Sequence, residues 1–398
     1  MVKRETPRGR ASSPHDAQRS EPSKAKGRPI LILNHIPSRT ADPDQPTSPN
    51  NFDRRRLLLA AATAGLSLPF AGGKSEADDA RTPDPKHRLE VKTDPTNSLP
   101  GARPLGDMAM IRTKQLLIEV RDSGPKTGPV ILLVHGWPDD ASAWDDIAPI
   151  LNDAGFRTIA PMYRGFGRTR FLSAQAQRTG NTGILAVDAI GLMNALSIER
   201  FSVAGHDWGS NVTEALAVGW PDRIHRIAMM STPSRLGGLQ TPSFEQARRQ
   251  WYHWFQVTQR GAVAVRHDPK GFAHIMWKTW SPEGWFEETE FDRVAKSFQN
   301  PDWTDVTLHS YRSRWGEAPV DPRSLKLEAK IKSTKHLGTP TIFFHGEKDG
   351  VTPPSGSEEM GKKFKDFHRF VVEGAGHFLP REAPALVAAE LIAHFSLS

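Results

Sequence analysis

Gly205-His206-Asp207-Trp208-Gly209 is the stretch of this chain with the most chemical content. It follows an apolar run, residues 201–204, and precedes a helical pattern over 210–218. Small residues two before and two after a central side chain allow a strand to turn sharply into a helix. The central side chain then projects at the C-terminal end of a sheet, beside a helix N-terminus that favours an anion. Here the centre is an aspartate. A carboxylate is ionised at neutral pH and attacks without the help of a base. It suits reaction at a saturated carbon, such as that of an epoxide or alkyl halide, and leaves an ester between protein and substrate. Ser210 stands three residues on, inside the helix and without glycines at elbow spacing, so it is not read as the nucleophile.

Three further positions supply what such an ester needs. His135-Gly136-Trp137-Pro138 ends the apolar run Val130–Val134. The loop after that strand donates one oxyanion N–H and the residue after the nucleophile donates the other, which marks Trp137 and Trp208. His377, in Glu373-Gly374-Ala375-Gly376-His377-Phe378, follows the last apolar run. Partners of an elbow nucleophile come in the chain order nucleophile, acid, histidine, and His377 holds the final place among 15 histidines. For the acid, His345-Gly346-Glu347-Lys348-Asp349-Gly350 supplies Asp349, with Glu347 second; Ser231-Thr232-Pro233, the other common location, has no carboxylate. Asp207, Asp349 and His377 thus form a triad in which His377 activates water against the ester.

Positioning these residues requires alternating strands and helices from about residue 108. Opening strands are expected over 110–120, then at Val130–Val134, 156–161, 201–204, 227–230, 341–344 and 370–372, with helices at 182–196 and 210–218 between them. Continuous apolar strand runs imply a parallel sheet covered on both faces. From 234 to 335 the strand signals vanish and seven of the eleven tryptophans gather: Trp251, Trp254, Trp277, Trp280, Trp285, Trp303 and Trp315. That stretch reads as a helical insertion, its tryptophans lining an apolar pocket or forming the insertion's own core.

HGWP, GHDWG and EGAGHF with a helical cap between them resemble the α/β-hydrolase epoxide hydrolases over residues 108–398. The resemblance implies an α/β-hydrolase fold: a mostly parallel eight-stranded sheet flanked by helices, with core segments 108–233 and 336–398 and a helical cap at 234–335. It also implies two cap tyrosines that donate hydrogen bonds to the epoxide oxygen, a poor leaving group unless protonated. Of three tyrosines, Tyr163 follows a core strand, and Tyr311 in His309-Ser310-Tyr311-Arg312 matches the second cap tyrosine. Counting back from Phe255-Gln256 puts the first at Trp251, one residue or about 100° of helix before Tyr252, which leaves Tyr252 open between proton donation and packing. Haloalkane dehalogenases are related, but usually carry Asn or another halide-binding group where Trp137 stands. Fluoroacetate dehalogenases usually have Arg-Gly where this chain has Trp208-Gly209. Dehalogenation through the same Asp207, and ligand binding without turnover, are the two alternatives to epoxide opening.

The 398-residue chain is 37% hydrophobic and 24% charged, enough for a sizeable core. Residues 1–56 hold twelve Lys/Arg against six Asp/Glu, which is +6 of the chain's +7, so the folded body is nearly neutral. Residues 1–52 are expected to be a disordered basic tail, with no nucleic-acid partner. Asp53-Arg54-Arg55-Arg56-Leu57-Leu58-Leu59 then resembles a twin-arginine export signal over 53–77, followed by a linker at 78–107. Its apolar run of 14 residues, 57–70, is shorter than the roughly 20 of a membrane span, so no stable membrane anchor is expected. The corresponding location is periplasmic or secreted, with the export machinery as partner, and cytoplasmic otherwise. With no cysteine, disulfides and thiolate nucleophiles are excluded. No cofactor is expected: Gly165-Phe166-Gly167 lacks the third glycine of a dinucleotide site. No metal is expected either, Asp139-Asp140 and Asp145-Asp146 reading as solvated charge. The substrate class is a small apolar molecule, aryl or bulky aliphatic, with water as co-substrate.

Overall fold

A computed structural model describes residues 88–89 and 108–397, all within the second of two units, 1–79 and 80–398. The twin-arginine segment and the basic tail lie outside the described residues. Among the described residues the strands are β1 Arg88–Leu89, β2 Met108–Arg112, β3 Leu116–Ser123, β4 Val130–Val134, β5 Arg157–Pro161, β6 Arg170–Phe171, β7 Phe201–His206, β8 Ile224–Met230, β9 Thr341–Gly346 and β10 Phe367–Val372. They form one sheet in the order β1-β10-β9-β8-β7-β4-β5-β3-β2, with β6 paired to β3. All pairings from β1 to β5 along this path are parallel; β3 runs antiparallel to β5, β2 and β6.

Eight strands were expected and the sheet has ten. The two additions, β1 and β6, are only two residues long. Edge pairing makes them strands, and so short a segment has no side-chain period to reveal it. β1 also lies inside the stretch expected to be linker. The central strands β7 and β9 are buried along their whole length, as parallel strands covered on both faces must be.

The helices are α1 Ala148–Asp153, α2 Thr182–Ala195, α3 Trp208–Gly219, α4 Phe244–Arg249, α5 Trp251–Val257, α6 Gln259–His267, α7 Pro269–Thr279, α8 Glu288–Ala295, α9 Trp303–Arg314, α10 Leu325–Ser333, α11 Leu379–Glu382 and α12 Pro384–Phe395. None is long and apolar enough to cross a membrane among the described residues. Between β8 and β9 only helices occur, and their ends are written locally. Thr258 accepts the Gly261 N–H at the start of α6, and Asp268, followed by Pro269, accepts that of Gly271 at the start of α7. The last helix of the expected cap, α10, differs: it packs on α2 and α3 of the core. Its Glu328 accepts from the Asn181 side chain at 2.7 Å and from the Gly183 N–H at 2.7 Å. A polar anchor to a helix 145 residues away has no local signature.

Candidate active site

The turn between β7 and α3 is shaped by sterics. A β-carbon on Gly205 would stand 2.1 Å from the Gly209 carbonyl oxygen, and one on Gly209 2.1 Å from that of Val134. Either is far inside van der Waals contact, so strand, helix and β4 approach this closely only with glycine at both places. Asp207 between them has φ 52° and ψ −112°, a left-handed conformation that costs on the order of 1–3 kcal/mol in a non-glycine residue. The strain turns its carboxylate out at the end of the sheet, as the N-cap of α3.

Around that carboxylate the expected residues converge. Oδ1 accepts the Trp137 N–H at 2.8 Å, and Oδ2 accepts the Thr232 hydroxyl at 3.2 Å. Trp208, the first residue of α3, has an N–H with no partner inside the helix. Gly136 brings the Trp137 loop in: a β-carbon there would be 2.6 Å from that of Asp207. His377 is buried, with Nε2 3.5 Å from Asp207 Oδ2 and its Nδ1–H donating to Asp349 Oδ2 at 2.9 Å. Asp349 is held in turn by the Val351 and Thr352 N–H groups at 2.7 and 3.0 Å. Glu347, the second choice for the acid, accepts the Gly374 N–H instead.

The electrostatics follow from this arrangement. Burial alone would raise the Asp207 carboxyl, but His377, His206 and the Trp137 N–H outweigh it and hold it at about 2. Burial likewise works against a charged His377, yet Asp349 and Asp207 on either side bring it up to about 10. The resting pair is therefore carboxylate and imidazolium. An ester at Asp207 would remove one of the two anions and let the His377 proton go. Accordingly, Asp207→Asn should lower the His377 pKa from about 10 towards the ordinary 6.5 of histidine. An NMR titration of the imidazole checks this, and an unchanged midpoint would mean that Asp207 does not hold the proton there.

Over Asp207 lies an aromatic box. Trp137 stacks on Trp208, Tyr252 and Trp303 at ring separations of 6.2, 5.8 and 6.2 Å. Tyr252 and Tyr311 meet edge-on at 5.5 Å, and both are buried. Tyr252 is buried and Trp251 is 38% exposed. Phe255, Gln256 and Tyr252 share the unbroken helix α5, whose rotation is set by the packing of Tyr252 on Trp137, Trp280 and Tyr311. Trp208 donates its indole N–H to the Tyr311 hydroxyl at 3.2 Å. Burial first, and then charge including that of Asp207, raises both tyrosines well above their ordinary value, so both keep their protons. Of the cap tryptophans, Trp280 and Trp303 border the site. Trp277 and Trp285 pack on Phe378 in the core behind it.

Several supporting residues escaped the sequence. Asp139 and Asp140 are buried rather than solvated: Asp139 takes two bonds from Arg381 at 2.6 and 2.9 Å, and Asp140 accepts the Ser142 N–H. Asp145 pairs with Arg121 and Arg293; only Asp146 of the four is exposed. Arg381, just beyond His377, thereby ties the Trp137 loop to the His377 loop. Glu382 accepts from Ser281, Gly376 N–H and Phe378 N–H, and Ser281 accepts the His377 N–H at 2.7 Å. The proximity of Arg381 and Glu382 to His377 in the chain was the available signal. Among the described residues no group of three or more His, Cys, Asp or Glu could hold a metal ion.

A family model for the alpha/beta hydrolase fold matches residues 129–384. The chain is 33% identical over 315 residues to an epoxide hydrolase of Caballeronia sordidicola, covering 71% of this chain and 91% of that protein. It is 24% identical over 318 residues to epoxide hydrolase A of Mycobacterium tuberculosis, covering 71% and 95%. A Klebsiella pneumoniae crystal structure, provisionally assigned as an epoxide hydrolase, is 30% identical with a TM-score of 0.70, covering 73% of this chain and 97% of that one. Epoxide hydrolase A of Mycobacterium thermoresistibile superposes with a TM-score of 0.62 over 73% and 98% at 23% identity, a likeness of fold alone.

Proposed function

Because the chain belongs to the α/β-hydrolase fold family, we propose that it is a hydrolase that opens epoxides to vicinal diols through an ester on Asp207. The observation that carries this reading is two buried, protonated tyrosines placed over an ionised aspartate whose other neighbour is a histidine. Oδ2 or Oδ1 of Asp207 attacks an epoxide carbon, the C–O bond breaks, and Tyr252 or Tyr311 gives its proton to the departing oxygen. Loss of the Asp207 charge lets His377 release its proton, which replaces the one the tyrosine gave up. The neutral imidazole, oriented by Asp349, then takes a proton from water as that water attacks the ester carbonyl. The N–H groups of Trp137 and Trp208 hold the oxyanion; the first of them already lies 2.8 Å from Oδ1. Collapse frees the diol and restores Asp207. Similarity to the Caballeronia sordidicola enzyme supports the same substrate class.

Full-length protein incubated with styrene oxide should release phenylethane-1,2-diol. Halide release from chloroalkanes without diol from any epoxide would instead assign it to dehalogenation. Against that alternative, the Trp208 indole N–H, a donor beside Asp207 that a halide would need, is already given to Tyr311. The proposal includes export: Arg54-Arg55-Arg56-Leu57-Leu58 supports twin-arginine transport to the periplasm. Replacing Arg54, Arg55 and Arg56 by lysine should then retain the protein in the cytoplasmic fraction of a bacterium with that pathway; unchanged fractionation would remove this part of the reading.

A further inference from the structure

The aromatic box is not apolar throughout. His253, beside Tyr252 on α5, is 1% exposed, with its ring 4.4 Å from Tyr252 and 4.7 Å from Tyr311. The Trp315 indole N–H donates to its Nδ1 at 3.3 Å. An indole nitrogen only donates, so Nδ1 is the acceptor and the ring proton sits on Nε2. Nε2, on the other edge of the ring, has no hydrogen-bond partner. A buried N–H left unpaired is costly, and native structures carry few of them. Burial, and after it the charge of Arg314, holds His253 well below its ordinary value. It is thus a neutral imidazole presenting one unmet donor.

Arg314 is the second observation. It lies one turn after Tyr311 on α9, partly buried, with its guanidinium 5.5 Å from the Tyr311 ring centroid. No ion pair holds it among the described residues. Its charge reaches Tyr252, His253 and Tyr311 alike. Arg235, the other cation nearby, is offset by Glu214 and Glu328, and Arg314 has no such counterpart. An unbalanced positive charge and an unmet donor therefore both lie against the Tyr311 ring.

We propose that His253 and Arg314 form a polar recess for the carboxylate of an epoxide-bearing acid. This deepens the reading of Asp207 as an epoxide-opening nucleophile and rests on it. One carboxylate oxygen accepts from His253 Nε2–H, and the anion balances Arg314. A substrate without an acceptor at that end leaves the buried donor unmet, which is how a polar site rejects an apolar analogue. The like charge of Asp207 is already offset by the His377 imidazolium.

The test uses full-length protein and an unreactive probe, so that it does not depend on turnover. Calorimetry should show 4-phenylbutyrate binding at least about tenfold more tightly than 4-phenylbutyramide, the scale of one charge-assisted hydrogen bond. Arg314→Gln and His253→Phe should each remove most of that preference, and His253→Phe should also weaken binding of the amide, whose carbonyl accepts the same hydrogen bond. His253→Gln, which keeps a donor, should retain part of it and guards against a misfolded aromatic variant. In turnover, 4-(oxiran-2-yl)benzoate should have a lower KM than styrene oxide in the wild type only. Equal binding of acid and amide, or a preference that survives both Arg314→Gln and His253→Phe, overturns the recess even if epoxides are hydrolysed. An intact acid preference with no diol from any epoxide would support the recess and overturn the hydrolase reading instead.

Discussion

Asp207→Ala should abolish diol formation, by on the order of 10^4-fold or more, while His377→Asn should stop the reaction halfway. The two losses differ in kind because the residues act in successive steps. Without the carboxylate there is no atom to form the ester, and the remaining groups stabilise an intermediate that never appears. Without the imidazole the ester still forms, since the attack uses the Asp207 carboxylate itself and needs no base. Its hydrolysis then lacks a base, a loss of about 10^2–10^4-fold. Intact-protein mass spectrometry of His377→Asn with styrene oxide should therefore show one added substrate mass per chain. In the wild type, a single turnover in water labelled with oxygen-18 should leave the label in Asp207 and out of the diol. Water attacks the ester carbonyl, so the diol carries away an oxygen the aspartate already had. Label in the first-turnover diol would mean direct attack of water on the epoxide, with Asp207 as base.

Tyr252→Phe and Tyr311→Phe should each slow epoxide opening by about 10^2-fold, and the double variant should fall below detection. A preorganised donor removed from a developing alkoxide costs about this much, and the second tyrosine covers part of the loss of the first. The hydroxyls are buried and held protonated by burial and by the Asp207 charge. Ring opening in the wild type should accordingly not decline with tyrosine ionisation until well above pH 10. Halide displacement needs no proton donor, so the same variants tested on a chloroalkane separate donation from packing. Pre-steady-state quenching of Trp fluorescence can follow alkylation, given the tryptophans around Asp207. If Tyr252→Phe alone alkylates at the wild-type rate, Tyr311 is the sole donor and the inward turn of Tyr252 serves packing.

What was legible in the chain was whatever depends on neighbours in sequence. Gly205 and Gly209 flank Asp207 because strand, turn and helix must pass within 2.1 Å of a missing β-carbon, a demand that any chain with this turn must meet at the same spacing. Trp137, Trp208, Asp349 and His377 follow from their positions after strands that announce themselves as apolar runs. The direction of Tyr252 was not legible, because the rotation of α5 is set by packing of Tyr252 on Trp137 and Trp280, which lie elsewhere in the chain. Nor was the burial of Asp139 and Asp140, whose charges are tolerated inside only because Arg381, 242 residues away, arrives to pair with Asp139. The attachment of α10 to the core, the strands β1 and β6, and the unmet N–H of His253 have the same origin. Each is a contact between distant segments, and its energy depends on a partner that no local pattern names. The residues gathered around Asp207 were thus legible in the sequence, and the shape and polarity of the space above them were decided by how the helices between β8 and β9 pack.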